Sequence, residues 1–129
     1  MNISKKILLI DDDEELCEEL TDFLRECGYQ VNATHNGIQA REYLRQAQYD
    51  LIILDLKLPL ESGFDILKDI KDTYSQLKVM IVSGRPPTGS LPHLDDWQAE
   101  ELEILKLADR VLSKPLPPEL LLQTIQELT

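Results

Sequence analysis

Basic side chains are in the minority in this sequence. It contains 13 lysines and arginines against 24 aspartates and glutamates, which gives a formal net charge of -11. Nucleic-acid binding through a basic face is therefore not expected, because neutralising phosphates requires clustered Lys and Arg. Attraction to an anionic membrane surface is not expected for the same reason. The acidic excess favours a cationic ligand, such as a divalent metal ion or a basic patch on a partner.

Long hydrophobic runs are also absent. No apolar run approaches the roughly 18 residues that a membrane span requires. Lys5 and Lys6 precede an apolar run, but Asp11 interrupts it before it is long enough for a signal-peptide core. We therefore expect a cytoplasmic protein. A length of 129 residues, 43% of them hydrophobic, predicts one domain over residues 1–129.

Cysteine is rare and predicts no disulfide. Cys17 and Cys27 fall in one predicted helix, where their spacing corresponds to a rise of about 15 Å. A disulfide needs Cα atoms within about 7 Å, so both residues are predicted to be free thiols. His35 and His93 have no Cys or His neighbours at metal-ligand spacing, and we interpret both as loop or surface residues.

Short apolar or alternating runs are separated by amphipathic segments along the chain. Strands are predicted at 7–10, 29–34, 50–55, 78–83 and 110–113. Apolar residues at helical spacing follow each of them: Leu16, Leu20, Phe23 and Leu24; Ile38, Ala40, Leu44 and Ala47; Leu67 and Ile70; Leu102 and Leu105; Leu121, Ile125 and Leu128. A β-α unit repeated in this way predicts parallel strands joined by right-handed crossovers.

The apolar patterns of the strands predict their order in the sheet. The first, third and fourth strands are apolar throughout, as burial on both faces demands, whereas 29–34 alternates and is expected at an edge. The order 2-1-3-4-5 meets both conditions. We therefore predict an α/β fold of the flavodoxin-like type, with a doubly wound five-stranded parallel sheet. Its ligand crevice is expected between the first and third strands.

One segment interrupts the alternation. Residues 84–94 contain three prolines and two glycines, which predict a loop. A helix is expected to begin near Asp95 or Asp96. Trp97, the only tryptophan, would lie in its first turn.

Residues with reactive side chains end four of the predicted strands. Asp11 and Asp12 follow the first strand, Asp55 ends the third, Ser83 ends the fourth and Lys114 follows the fifth. Taken singly, the acid pair has a plainer interpretation as a helix cap, and Lys114 as a surface residue. Together they are expected to converge, because the carboxyl ends of parallel strands meet at one edge.

The chemistry of this set points to a metal ion and a phosphoryl group. Converging carboxylates repel one another unless a pKa rises or a cation binds, and an all-oxygen cluster suits Mg²⁺. A carboxylate at the metal can attack a phosphoryl group and form an acyl phosphate. Ser83 offers a hydroxyl donor and Lys114 a positive charge for the phosphoryl oxygens.

The chain resembles the receiver domain of bacterial two-component response regulators. The resemblance covers nearly the whole chain, and these residues carry it: Asp11-Asp12, Asp55 with Pro59 and Gly63, Ser83-Gly84, and Lys114-Pro115. It implies that Asp55 is the phosphoacceptor, taking its phosphoryl group from a sensor histidine kinase or a histidine phosphotransfer protein. The implied function is a signalling switch in a phosphorelay and not a turnover enzyme, with slow loss of the phosphoryl group to water.

The resemblance also implies roles for the surrounding residues. Asp12 would bind Mg²⁺ directly, Asp11 mostly through water, and Asp55 and the backbone carbonyl of Lys57 would complete the protein ligands. Two further residues, Ser83 and Lys114, would contact the phosphoryl group. The peptide bond from Lys114 to Pro115 is expected to be cis.

Two features depart from the family pattern. Receivers usually carry Tyr or Phe three residues before the lysine, where this chain has Val111. Valine has no ring to swing inward on phosphorylation. The stretch from Ser83 to Lys114 is also longer than is usual in the family, and its Pro-rich loop is expected to reshape the output face.

Two other functions stay open at this point. The first is a receiver-like interaction module without phosphorylation control, which Val111 and the long loop favour. The second is a phosphohydrolase in which Asp11 attacks and Asp13 acts as the acid, although the chain lacks a cap insertion and an acid pair after the fourth strand. The downstream partner or fused effector, and the formation of a homodimer, are open as well.

Overall fold

The secondary structure follows the predicted β-α alternation. The computed structural model describes residues 4–84 and 99–129. The strands are β1 (Lys6–Ile10), β2 (Gln30–Thr34), β3 (Leu51–Leu54), β4 (Lys78–Ser83) and β5 (Arg110–Ser113). The helices are α1 (Glu14–Glu26), α2 (Gly37–Gln46), α3 (Gly63–Thr73), α4 (Ala99–Leu105) and α5 (Pro118–Leu128). No helix in the described part of the chain is long and apolar enough to cross a membrane.

Several sequence predictions fall outside the described residues. They concern the Pro-rich loop beyond Gly84, His93, the helix cap at Asp95 or Asp96, and Trp97.

The strands form one parallel sheet in the order β2-β1-β3-β4-β5. This confirms the predicted flavodoxin-like topology, with β2 at an edge. Ile10 is in register with Thr34 on one side and Leu54 on the other. Ile81 of β4 is in register with Leu54 and Val111. The carboxyl ends of the strands therefore lie along one edge of the sheet.

The central strands are buried because each contributes to two hydrophobic cores. Ile7 and Leu9 of β1 join a cluster with residues of α1 and α5, whereas Leu8 and Ile10 join one with residues of α2 and α3. All four side chains are at most 1% exposed, and burying each is worth about 1.5–3 kcal/mol. Strand β1 is thus fixed from both faces.

Local signals in the sequence set the ends of the helices. The side chains of Asp13, Asn36 and Ser62 accept hydrogen bonds from the backbone N–H of Leu16 (3.1 Å), Gln39 (2.9 Å) and Phe64 (3.2 Å) at the starts of α1, α2 and α3. Such caps satisfy donors that have no partner within the helix. Gly28 follows α1 with φ 98°, the left-handed conformation that ends many helices.

Two residues differ from their sequence pattern. Ile38 was grouped with the apolar face of α2 but is 67% exposed, because Ala40 and Leu44, one turn apart, form the buried face. Thr34 is in the polar phase of β2 but is only 1% exposed. Its hydroxyl donates to the carbonyl of Leu9 at 3.1 Å, which allows the burial.

A partly buried ion pair links α3 to the start of β5. One carboxylate oxygen of Asp109 accepts hydrogen bonds from Lys71 Nζ and from the backbone N–H of Val79, both at 2.8 Å. Lys71 Nζ also donates to the carbonyl of Leu77 at 2.8 Å. Burial alone raises the pKa of Asp109, but the hydrogen bonds from Lys71 and Val79 outweigh it and hold the pKa below the usual 3.8. The charged carboxylate therefore stabilises the fold.

We predict that Asp109→Asn lowers the free energy of unfolding by about 2 kcal/mol at pH 7, the scale of a hydrogen bond to a charged group. Because the folded pKa is lowered, this stabilisation is complete above the usual value of 3.8 and disappears as pH falls through the folded pKa. Urea unfolding of both proteins at several pH values measures the difference. Asp72→Asn, which removes an exposed carboxylate of α3, is the matched control. An equal loss in the control, or a difference independent of pH, contradicts the prediction.

Candidate functional site

Three carboxylates converge at the carboxyl edge of the sheet. One oxygen from each of Asp11, Asp12 and Asp55 lies within 4.8 Å of the other two. We call these residues the acid cluster. Asp11 and Asp55 are only 4% and 5% exposed, whereas Asp12 is exposed. The cluster forms because β1 and β3 are neighbours, and the backbone N–H of Asp55 continues their ladder by donating to the carbonyl of Ile10 at 2.9 Å.

Asp11 is held by hydrogen bonds to both its side chain and its main chain. Its carboxylate accepts from the backbone N–H of Asp13 at 3.0 Å and from Lys114 Nζ at 2.7 Å. Its carbonyl oxygen accepts from the Cys17 thiol at 3.4 Å and from His35 Nδ1 at 2.9 Å. The orientation of Asp11 is therefore strongly constrained.

Asp55 is a buried carboxylate with few compensating contacts. Its Oδ1 accepts from the backbone N–H of Lys57 at 3.1 Å, and its Oδ2 lies 3.4 Å from Lys114 Nζ. Burial, with the nearby charge of Asp11, raises the pKa of Asp55 above its ordinary value despite the hydrogen bond from Lys57 and the charge of Lys114. The environment of Asp55 therefore favours an added positive charge.

Lys114 reaches the acid cluster from the end of β5. Ser113 is in register with Ser83, and the backbone N–H of Lys114 donates to the Ser83 carbonyl at 2.8 Å. The peptide bond from Lys114 to Pro115 is cis, as predicted. Burial disfavours the ammonium group, but the hydrogen bond to Asp11 and the charge of Asp55 outweigh this and raise the pKa of Lys114.

Ser83 is the last residue of β4 and lies at the same edge of the sheet. Leu54, the residue before Asp55, is in register with Ile81, two positions before Ser83. The fold thus brings all the strand-end residues singled out in the sequence to one edge. Asp13, the acid of the alternative phosphohydrolase, instead caps α1 through the backbone N–H of Leu16.

Sequence reasoning missed two residues behind the acid cluster. His35 was interpreted as a loop or surface residue, and it does lie between β2 and α2, but its ring contacts the Asp11 carbonyl. Cys17 is a free thiol, as predicted, and is 2% exposed. Burial, with the charges of Asp11 and Asp13, raises its pKa to about 12, so it stays protonated and can donate. Neither contact leaves a periodic signal in the sequence.

The acid cluster has the donor chemistry that suits Mg²⁺. Its ligand atoms are carboxylate oxygens, and this hard ion prefers oxygen donors, with a few protein ligands and several waters. Lys114 supplies a single positive charge against three carboxylates, which leaves the site negative. The exposure of Asp12 gives access from solvent.

Comparison with protein families agrees with this geometry. Residues 7–126 match the family described as response regulator receiver domain. The chain belongs to this family, whose function in two-component systems is that of a phosphoacceptor. The predicted relationship is thus confirmed.

Two curated relatives illustrate the match. The chain is 35% identical over 125 residues, 96% of its length, to the transcriptional regulatory protein GltR of Pseudomonas aeruginosa. It is 28% identical over 113 residues, 84% of its length, to the regulatory protein VanRc of Enterococcus gallinarum. These alignments cover 48% and 49% of the relatives, so the chain spans about half the length of each.

Solved structures show the same fold. A CheY-like receiver domain protein from Methanospirillum hungatei superposes with a TM-score of 0.83 at 24% identity, over 97% of this chain and 93% of that one. The response regulator TrrA of Thermotoga maritima, solved in complex with Mg²⁺ and BeF, superposes with a TM-score of 0.80 at 25% identity, over 97% and 99% of the two chains.

We predict that Asp55→Asn stabilises the metal-free protein at pH 7 by about 1 kcal/mol, within the range common for single stabilising substitutions. The folded pKa of Asp55 is raised, so charging the carboxylate costs stability as pH rises from its usual 3.8 through the folded value. The amide removes this cost. Thermal unfolding in a chelator measures the effect, with Asp72→Asn as the control of equal charge. A loss of stability in Asp55→Asn would contradict the inference that the buried charge of Asp55 destabilises the metal-free protein.

Proposed function

We propose that Asp55 is the phosphoacceptor of this receiver domain and that Ser83 and Lys114 contact the phosphoryl group. The observation that carries the proposal is the burial of Asp55 beside Asp11, with Lys114 Nζ 3.4 Å from its Oδ2. A carboxylate oxygen of Asp55 attacks the phosphorus of the donor and forms a new O–P bond. The bond between phosphorus and the donor's leaving atom breaks, and the leaving group keeps the electron pair.

The chain's own groups would support this step in different ways. Lys114 Nζ lies 2.7 Å from Asp11 Oδ2 and 3.4 Å from Asp55 Oδ2. Its ammonium group is therefore positioned to contact the oxygens of a phosphoryl group on Asp55. Ser83 would donate its hydroxyl from the end of β4. The backbone N–H of Lys57 orients the Asp55 carboxylate through its Oδ1.

The same proposal includes a divalent cation. Asp12, Asp55 and the backbone carbonyl of Lys57 would hold Mg²⁺, with Asp11 acting mostly through water. The ion supplies positive charge against the phosphoryl oxygens. The Mg²⁺ and BeF complex of TrrA supports this assignment, because that protein has the same fold.

The phosphoryl donor would be a sensor histidine kinase or a histidine phosphotransfer protein in the cytoplasm. The domain would extend over residues 1–129 and act as a switch that loses its phosphoryl group slowly to water. Its relatives GltR and VanRc are regulatory proteins about twice as long as this chain. A fused effector or a downstream protein would therefore receive the signal, and a homodimer stays a prediction.

One observation favours a second function, that of an interaction module without phosphorylation control. Val111 on β5 is 47% exposed and has no aromatic ring that can move inward when the site is phosphorylated. Its χ1 angle is also restricted by branching at Cβ. The labelling experiment below decides between the two functions.

We predict that acetyl phosphate with Mg²⁺ adds one phosphoryl group to the chain, and that Asp55→Asn abolishes the adduct. Intact-mass spectrometry measures the adduct, with Asp72→Asn as a control that stays fully labelled. Unchanged labelling of Asp55→Asn would refute the assignment of Asp55. An unlabelled wild-type chain would favour the interaction module, and continuous phosphate release without a stable adduct would favour the phosphohydrolase.

We predict that Asp12→Ala weakens Mg²⁺ binding by more than about tenfold. Removing a group that only hydrogen-bonds to a metal ligand already weakens metal affinity by about that factor, and Asp12 is a proposed ligand itself. Asp11→Ala should weaken it less, because Asp11 is already paired with Lys114. Calorimetric titration measures both affinities. Equal Mg²⁺ affinity in wild type and Asp12→Ala would show that the metal site is placed wrongly.

A further inference from the structure

An ion pair links α2 to the loop that follows Asp55. The two guanidinium nitrogens of Arg41 donate to the two carboxylate oxygens of Glu61 at 2.7 and 2.6 Å. Glu61 ends the 57–61 segment, which connects the acid cluster to α3. The side chains of Arg41 and Glu61 are only 29% and 26% exposed. A bidentate, partly buried pair of this kind is more specific and stronger than an exposed surface pair.

The pair packs against the start of α2. A Cβ atom at Gly37 would lie 2.5 Å from Glu61 Oε1 and 2.9 Å from Arg41 Nη1, so the absence of a side chain at Gly37 lets the pair lie directly against the helix backbone. Arg41 also donates to Asp69 of α3 at 2.5 Å, although the Asp69 side chain is 60% exposed. The hydrogen bond from Arg41 holds the pKa of Glu61 below its usual value, so Glu61 is charged at neutral pH.

The 57–61 segment is fixed at its other end by backbone contacts. The N–H of Gly63 donates to the carbonyl of Leu56 at 3.0 Å, and a Cβ at Gly63 would lie 2.4 Å from the Leu56 Cα. Between these anchors runs the backbone of Lys57, whose carbonyl is a proposed ligand of Mg²⁺. Glu61 is the acidic side chain of the segment, and its partner is Arg41.

We propose that Arg41 is a positioning residue for the metal and phosphoryl site: its bidentate pair with Glu61 fixes the path of the 57–61 segment and so places the Lys57 carbonyl beside the acid cluster. This inference rests on the proposed function. The hydrogen-bond partners of Arg41 in the described part of the chain are Glu61 and Asp69, which lie outside the acid cluster, so its effect would be indirect. Removing groups that orient metal ligands typically weakens metal binding by at least tenfold.

The test compares Mg²⁺ binding by four proteins. Calorimetric titration of Arg41→Ala and of Glu61→Gln should show Mg²⁺ affinity about tenfold weaker than that of wild type. Arg45→Ala is the matched control, because Arg45 lies one turn further along α2 and pairs with Glu42 on the exposed surface. Its Mg²⁺ affinity should equal that of wild type. Equal affinity in wild type and Arg41→Ala overturns the inference.

Labelling kinetics separate positioning from general damage to the fold. At low Mg²⁺ the rate of Asp55 labelling by acetyl phosphate should fall about tenfold in Arg41→Ala, and saturating Mg²⁺ should restore it. A defect that persists at saturating Mg²⁺ overturns the inference. The double variant Arg41→Ala with Glu61→Gln should be no worse than Arg41→Ala alone, because Arg41→Ala already removes the pair with Glu61. Additive losses would mean that the two residues act separately, which also overturns it.

A conservative variant covers the case in which Arg41→Ala does not fold. Arg41→Lys keeps the charge but lacks the planar fork, so its Mg²⁺ affinity should lie between those of wild type and Glu61→Gln. If Arg41→Lys binds Mg²⁺ as tightly as wild type, the bidentate pair with Glu61 is not needed for the metal site, and the inference is overturned. If the wild-type chain itself neither binds Mg²⁺ nor takes up a phosphoryl group, the proposed function fails and this inference with it. Normal wild-type behaviour with an unaffected Arg41→Ala refutes this inference alone.

Discussion

The placement of two almost fully buried carboxylates beside one ammonium group is the constraint on which the site depends. Asp11 and Asp55 directly follow the neighbouring strands β1 and β3, and Lys114, which follows β5, places its Nζ 2.7 and 3.4 Å from their Oδ2 atoms. One ammonium group offsets only part of their charge, and the exposed Asp12 adds more. The sheet can hold this arrangement because β1 and β3 are buried on both faces by separate hydrophobic cores. Stability from apolar packing thus supports a site that is itself electrostatically unfavourable.

The sequence was sufficient to predict the sheet and the convergence of the site. Burial on both faces required runs such as Leu51–Leu54 to be apolar throughout, and the alternation in β2 indicated an edge strand. Once the strands were known to be parallel, the residues at their carboxyl ends had to meet. The errors came from single positions: Ile38 is apolar but off the buried face of α2, and Thr34 is polar but buried through its bond to Leu9.

Two side-chain contacts around the site were not predictable in the same way. His35 reaches the Asp11 carbonyl across 24 positions of the sequence, and Arg41 reaches Glu61 across 20. Long side chains such as these can point in many directions, and neither periodicity nor spacing indicates which one the fold selects. Secondary structure and topology are encoded in patterns, whereas contacts between side chains that are distant in sequence depend on the packed structure.

The unequal support of the two adjacent acids has a consequence for ion size. Asp11 is held through both its carboxylate and its carbonyl oxygen, by Asp13, Lys114, Cys17 and His35. Asp12, one residue further on, is exposed. An ion larger than Mg²⁺ needs longer metal–oxygen distances and more ligands, and in this site Asp12 is the acid with room to move outward. The hydrogen bonds that fix Asp11 would therefore leave the proposed metal site to adapt to the radius of its cation mainly through one solvent-exposed side chain.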